Sequence, residues 1–204
     1  MLDVDQILQL HEAKVYLWHQ QNVVNDQVDD PLIPLAIICQ QHIYNFELWH
    51  QEDIARSPDA IDSQIAQVKR NIDRLNQARN DHIEKIDDWL TGYLLRELIQ
   101  PKFEARQNTE TAGSVIDRLS ILSLRIYHYR EQCDREDASP EHRERTLGRW
   151  SICLEQRKDL SNSLRALLRD LVDGNAVHKT YRQFKMYNDR SLNPFLYKKP
   201  SESS

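Results

Sequence analysis

The sequence predicts an all-α protein, an antiparallel bundle of about five long helices followed by a C-terminal aromatic and basic tail. Three observations carry this reading. Only four glycines and seven prolines punctuate 204 residues, too few for a many-turned β fold. Apolar side chains recur every three or four residues over most of the chain. The run that starts at Ile61 meets neither proline nor glycine before Gly92, the mark of one long helix.

The elements follow in chain order. Asp3 with Gln6 reads as a capping box, and Val4, Ile7, Leu8, Val15 and Trp18 then keep helical spacing to about Gln21. The polar NVVNDQVDDP stretch interrupts the pattern. A second helix starts at Pro34, a residue suited to a first turn, and runs to Arg56 before Ser57-Pro58. The third begins at Ile61 and can resume beyond Gly92 as YLLRELIQ. QPKFEARQNTETAG is the best internal loop, and Ser114 with Asp117 is expected to cap a fourth helix, VIDRLSILSLRIYHYREQC. Ser139-Pro140 opens a fifth, which ends at Asp173-Gly174 with glycine in the usual position past the last turn. AVHKTYRQFKMYND reads as a short final helix before SLNPFLYKKPSESS. There is no fixed-period repeat and no heptad run. Residues 1–175 are therefore expected to form one helical domain and 176–204 a strap or tail.

Composition narrows the function classes. A net charge of −5 and an isoelectric point near 5.9 lack the basic excess that draws a chain to a phosphate backbone, so nucleic acid is not the expected partner. Cys39, Cys133 and Cys153 are odd in number and widely spaced, which fits reduced, buried thiols rather than a disulfide framework or zinc knuckle. The N-terminus has no basic, apolar leader pattern, and the most apolar run, PLIPLAIIC, is short and carries two prolines. A cytoplasmic protein without a membrane span is the expectation.

Placed at about 100° per residue, the second and third helices mix charge into their apolar stripes. Leu35, Ile38, Cys39, His42, Phe46, Trp49 and Asp53 share one face, with Asn45 and Arg56 on one flank and His50 on the other. On the third helix, Asn76 and Arg79 fall in line with Ile72, Ile83 and Ile86, and Asn80 and Asp87 lie close beside them. An unpaired charge at an inward position costs several kcal/mol, so these groups must meet partners, a metal or a ligand. Two readings stay open: an internal ion-pair network that fixes helix register, or a pocket between facing helices, where bundles build their sites.

Other candidates stand beside their plainer readings. Asp53, Glu84 and Asp87 could hold Mg²⁺ or Mn²⁺ through oxygen ligands, in the manner of all-α nucleotide pyrophosphohydrolases, although the first of the paired acidic motifs of those enzymes is missing and such acids are often solvated faces. His50 with Glu52 could suit a transition metal, but the spacing is too common to be specific. His42, His50, His82 and His128 are each available as a base, and His50, flanked by acids, is the one favoured to move a proton. No nucleophile motif is present. TETAGS, with Thr111, Ser114 and Arg118, reads as a capped helix start that could also take an anion. In the tail, Lys179, Arg182, Lys185, Arg190, Lys198 and Lys199 against Asp189 give about +5. Tyr181, Phe184, Tyr187, Phe195 and Tyr197 are interleaved with them, a pattern read as a strap across the domain rather than a stacking surface for single strands.

LWHQEDIAR, KRNIDRLNQARNDHIEKID, ETAGSVIDRLSILSLRIYH and FKMYNDRSLNPFLY, in that order, resemble the bacterial family catalogued as domain of unknown function 4254, from about Asn45 to Tyr197. The resemblance implies a helical protein, some of whose kin lie near glycosyltransferase genes in surface-polysaccharide loci; it implies no reaction. Its blocks coincide with the mixed stripes, and His50, Glu52, Asp53, Arg56, Asn76, Arg79, Asn80, Asp81, Glu84 and Asp117 are carried as site positions. The expected function is binding or processing of a small anionic metabolite, a sugar phosphate or nucleotide sugar. In the catalytic version Asp53, Glu84 and Asp87 hold the cation, Arg79 and Arg118 steady phosphate, and His50 or Glu52 moves a proton. The rival is a non-catalytic adaptor, a homodimer or a partner of a glycosyltransferase.

Overall fold

The computed structural model describes residues 1–21, 34–182 and 191–193. Five helices make up the fold: α1 (Val4–Gln20), α2 (Pro34–Ala55), α3 (Asp62–Arg96), α4 (Ala112–Cys133) and α5 (Pro140–Val172). No strand occurs among the described residues; an isolated parallel bridge joins Arg106 to Ala176.

The ends of the helices obey local chemistry. Asp3 accepts from the amides of Asp5 and Gln6, Ser139 accepts from His142 ahead of Pro140, and Gly174 takes a φ of 69° past the end of α5. The start of α4 differs from expectation. Thr111, not Ser114, is the cap, and its hydroxyl accepts the Ser114 amide at 3.1 Å, so the helix begins one turn earlier. α3 continues through Gly92 without a break. The short final helix is not seen over residues 176–182; the remainder of that segment, and Phe184, Lys185, Tyr187, Arg190, Phe195, Tyr197, Lys198 and Lys199, lie outside the described residues.

Cross-helix contacts fix the directions. Gln51 meets Asn71 and Tyr44 meets His82, so α3 returns antiparallel along α2. Trp150 takes Arg130, and Asp5 pairs with Arg165, so α5 runs against α4 and α1. His11 meets His42 and His19 meets His50, while Gln41 meets Asp117 and Trp49 meets His128, so α1, α2 and α4 point the same way. The bundle therefore consists of two antiparallel hairpins, α2–α3 and α4–α5, with α1 laid in the groove beside α2, α4 and α5.

The core has two parts. A large aliphatic cluster gathers Ile7, Ile38, Ile86, Leu90, Ile116, Leu119, Leu164 and Leu168 from all five helices. A smaller one, Val15, Trp18, Cys39, Ile43, Phe46 and Leu124, lies further along α1, α2 and α4 and is rich in aromatic and imidazole rings. Cys39 and Cys153 are buried, and no disulfide joins the three cysteines. After α5 the chain crosses back: Arg106 N–H donates to the Asn175 carbonyl and the Arg106 carbonyl accepts from Val177 N–H, His178 Nε2 lies 3.1 Å from the Asp87 carbonyl, and Arg182 reaches Glu84 and Asp88 on α3.

Candidate functional site

The charges on α2 and α3 find their main partner on α4. Asp117, almost fully buried, receives Arg79 Nε at 2.8 Å on one oxygen and Arg79 Nη2 on the other. The first oxygen also accepts Asn45 Nδ2 at 2.9 Å and the amide of Gln41. Three helices are thus tied through one carboxylate, whose four bonds compensate its burial. From there the polar path continues inward. Asn45 also donates to Ser120 Oγ at 2.9 Å, and Ser120 Oγ lies 2.6 Å from His42 Nδ1. His42 Nε2 is 3.1 Å from the His11 carbonyl. A carbonyl only accepts, so the proton sits on Nε2, and Nδ1 accepts from the serine hydroxyl. Burial holds His42 down to about 3. Ser120 and His42 have the spacing of a nucleophile and its base, but both are fully buried, so the pair is architectural.

Outward from Asp117 the helices part around a cavity of about 480 Å³. Its wall holds Asn45, Trp49, Glu52 and Asp53 from α2, Arg56 just past its end, Asn76 and Arg79 from α3, and Ile121 and Arg125 from α4. Arg79 closes the floor, pinned by Asp117 and 3.5 Å from Asn76 Oδ1. Arg56 and Glu52 pair at 2.8 Å on the exposed rim. Three guanidinium groups face two carboxylates here, with two amides and an indole between them.

Six of the expected binding and catalytic positions come together in this cavity: Asn45, Glu52, Asp53, Arg56, Asn76 and Arg79. The others do not. Asn80 is half-buried on α3 and not in the lining, and Asp81 accepts from Gln77 on the surface. Arg118 is exposed and paired with Glu110. His50 turns from the cavity toward Phe46, His19 and His128, with Asp53 3.7 Å from its Nδ1. Asp53 itself is 62% exposed, so its partner is that histidine rather than an arginine of α3.

The expected cation site is corrected. Glu84 is bound by Arg182, and Asp87 is buried against the start of α4, where Gly113 N–H donates to it at 2.8 Å. Because Tyr44 of α2 is level with His82 of α3, Asp53 lies about eleven residues, roughly 16 Å, further along the bundle than Glu84 and further still from Asp87. Asp53, Glu84 and Asp87 therefore form no common ligand set. The same geometry corrects the anion site at Thr111, Ser114 and Arg118. The anion at the head of α4 is the protein's own Asp87, whose carboxyl is raised by burial and drawn back down by Thr111 and the Gly113 amide. Gly113 is required there, since a Cβ would lie 2.6 Å from the Ile83 carbonyl and 2.9 Å from Asp87 Oδ1.

Sequence reasoning missed Arg125, which one face of α4 would have revealed had its register against α2 been known. It also missed His19. That residue joins His50 and His128 in a cluster whose ligand atoms all lie within 4.8 Å of one another.

Fold and site together define an all-α bundle with a polar cavity between three helices. The family model described as a protein of unknown function (DUF4254) matches residues 35–180, and the chain belongs to that family. The match contains every residue of the cavity wall and begins after α1. No curated protein and no solved structure matches the chain. No described helix is long and apolar enough to cross a membrane.

Proposed function

We propose that the cavity binds a small anionic metabolite, a sugar phosphate or nucleotide sugar, which would place the protein in surface-glycan metabolism. The observation that carries this reading is the convergence of Arg56, Arg79 and Arg125 with Asn45 and Asn76 on one cavity. Guanidinium forks match phosphate oxygens, and Arg79 is held in a fixed orientation by Asp117 before any ligand arrives. Glu52, Asp53 and the two amides suit sugar hydroxyls, and Trp49 offers a ring face to a sugar or base. In a catalytic version Glu52 or Asp53, at the open rim, serves as the proton acceptor, since His50 faces elsewhere.

Thermal-shift measurement with sugar phosphates and nucleotide sugars tests the reading, because a ligand of the native state raises its melting temperature. Arg56→Ala and Arg125→Ala, both at exposed side chains, should reduce the shift while leaving the unliganded melting temperature in place. If no member of either class shifts the wild type, the reading fails.

One observation favours the adaptor reading as a second. Leu95, Leu98 and Phe103 stand exposed around the turn after α3, with Phe103 fully in solvent. Isolated apolar side chains are ordinary, but three within nine residues suit a homodimer or a glycosyltransferase partner. A monomeric mass by light scattering, unchanged in Leu98→Asp, would remove the homodimer version.

A further inference from the structure

The imidazoles of His19, His50 and His128 come from α1, α2 and α4, and among the described residues they form the one cluster of three groups able to hold a metal ion. Ring stacking accounts for part of their placement: His19 lies on Tyr127 at 4.1 Å and His128 on Trp49 at 4.7 Å. Stacking does not account for their nitrogens. His19 Nδ1 is 2.7 Å from the Val15 carbonyl, which can only accept, so the proton is on Nδ1 and the Nε2 lone pair is left. His128 Nδ1 is 2.8 Å from the Glu131 carboxylate, with the same consequence. Both Nε2 atoms are buried and have no hydrogen-bond partner among the described residues. A buried acceptor in that state is costly, and two in one cluster call for a shared partner.

We propose that His19, His50 and His128 form a binding site for a first-row transition ion of the Zn²⁺ type. The flanking groups are those that such sites use. A carbonyl or carboxylate that accepts the Nδ1 hydrogen bond fixes the ring and strengthens Nε2 as a ligand; Val15 does so for His19 and Glu131 for His128, while Asp53 lies 3.7 Å from His50 Nδ1. Tetrahedral Zn–N bonds of about 2.0–2.1 Å set ligand nitrogens roughly 3.3 Å apart, so the present spacing closes by small side-chain rotations. Imidazole favours Zn²⁺, Ni²⁺ or Cu²⁺ over Mg²⁺. Three protein ligands leave a fourth position for water or a substrate oxygen. The site lies behind the cavity wall, since Trp49 and Asp53 belong to both, yet it stands whether or not the cavity takes a metabolite.

The test uses the full chain stripped of metal with a chelator. Zn²⁺ calorimetry should give one ion per chain, and Co²⁺ should produce the visible bands of a low-coordinate nitrogen site. Zn²⁺ at about a hundredfold excess over Kd should raise the melting temperature by roughly 5–10 °C. His50→Gln and His128→Gln should each weaken binding by at least about tenfold. His82→Gln, on the far side of α2 against Tyr44, should bind as the wild type does. Far-UV circular dichroism checks the fold of each variant; if His128→Gln loses its helix signal, His50→Gln, at a side chain 38% exposed, decides. Absence of Zn²⁺ binding in the wild type, or full affinity in His50→Gln, overturns the site.

Discussion

The two ends of the bundle are built on opposite principles. At one end Ile86, Leu90, Leu164 and their neighbours interlock as an aliphatic cluster, with the buried Asp87 carboxylate capping α4 beside it. Beside and beyond that cluster Gln41, His42, Asn45, Asp117 and Ser120 are buried just as completely, and past them lie the open cavity and the histidine cluster. The aliphatic end gains from burial alone, at about 25 cal/mol per Å². The polar end offsets burial with hydrogen bonds around Asp117 and Ser120, and gains instead a fixed arrangement of donors. On the proposed reading, the contrast assigns stability to one end and recognition to the other.

The largest effect should come from Asp117→Ala, which strands Arg79 and two amide donors. A loss of about 3–5 kcal/mol in denaturant unfolding is expected. The double variant Asp117→Leu with Arg79→Met should recover most of that loss while abolishing ligand binding. If it recovers stability and keeps binding, the polar end is only a register device.

Leu90→Ala in the aliphatic end should cost about 3 kcal/mol by the cavity it leaves, with ligand and metal binding unchanged in whatever fraction remains folded. A variant in that cluster that altered binding without unfolding would blur the division.

A loss of similar size should appear on acidification. His42, held to about 3 by burial, stays neutral in the folded chain, whereas the unfolded chain takes up a proton near 6.5. Stability is therefore full above pH 6.5 and declines as pH falls toward about 3. His11, also lowered by burial and by His42, acts in the same direction. Asp87, raised by burial, acts in the opposite one, since it binds its proton more readily folded than unfolded. Denaturation midpoints measured from pH 7 to pH 4 should fall steadily, and less steeply in His42→Gln.

Gly113→Ala should cost about 1–3 kcal/mol, because the new methyl group must push the start of α4 off the Ile83 carbonyl. Arg56→Ala closes the series. Its exposed pair with Glu52 is worth less than about 1 kcal/mol, so the melting temperature should hold while the ligand-induced shift shrinks.

Much of this was readable before folding. Helical period placed Asn45, Arg56, Asn76 and Arg79 beside apolar stripes, and all four line the cavity. The same period put Asp53 on an interior face, yet its side chain is mostly exposed at the rim, because phase around a helix says nothing of how far the neighbouring helix covers it. Asp87 looked like a ligand and is a cap, since its partner amide at Gly113 is 26 residues away in the chain. His19 gave no signal, being a lone histidine in the last turn of α1.

The sequence by itself determined the five helices, most of their ends, the polar stripes and, through its ordered blocks, the family. These rest on chemistry within a few residues: a hydroxyl or carboxylate reaching a nearby amide, or a side chain returning to one face every 3.6 residues. Only the tertiary structure decided that Arg79 answers to Asp117, that Asp87 heads α4, and that three histidines from α1, α2 and α4 meet. Those outcomes depend on the axial register and rotation of one helix against another, which the whole packed core sets and no local pattern encodes.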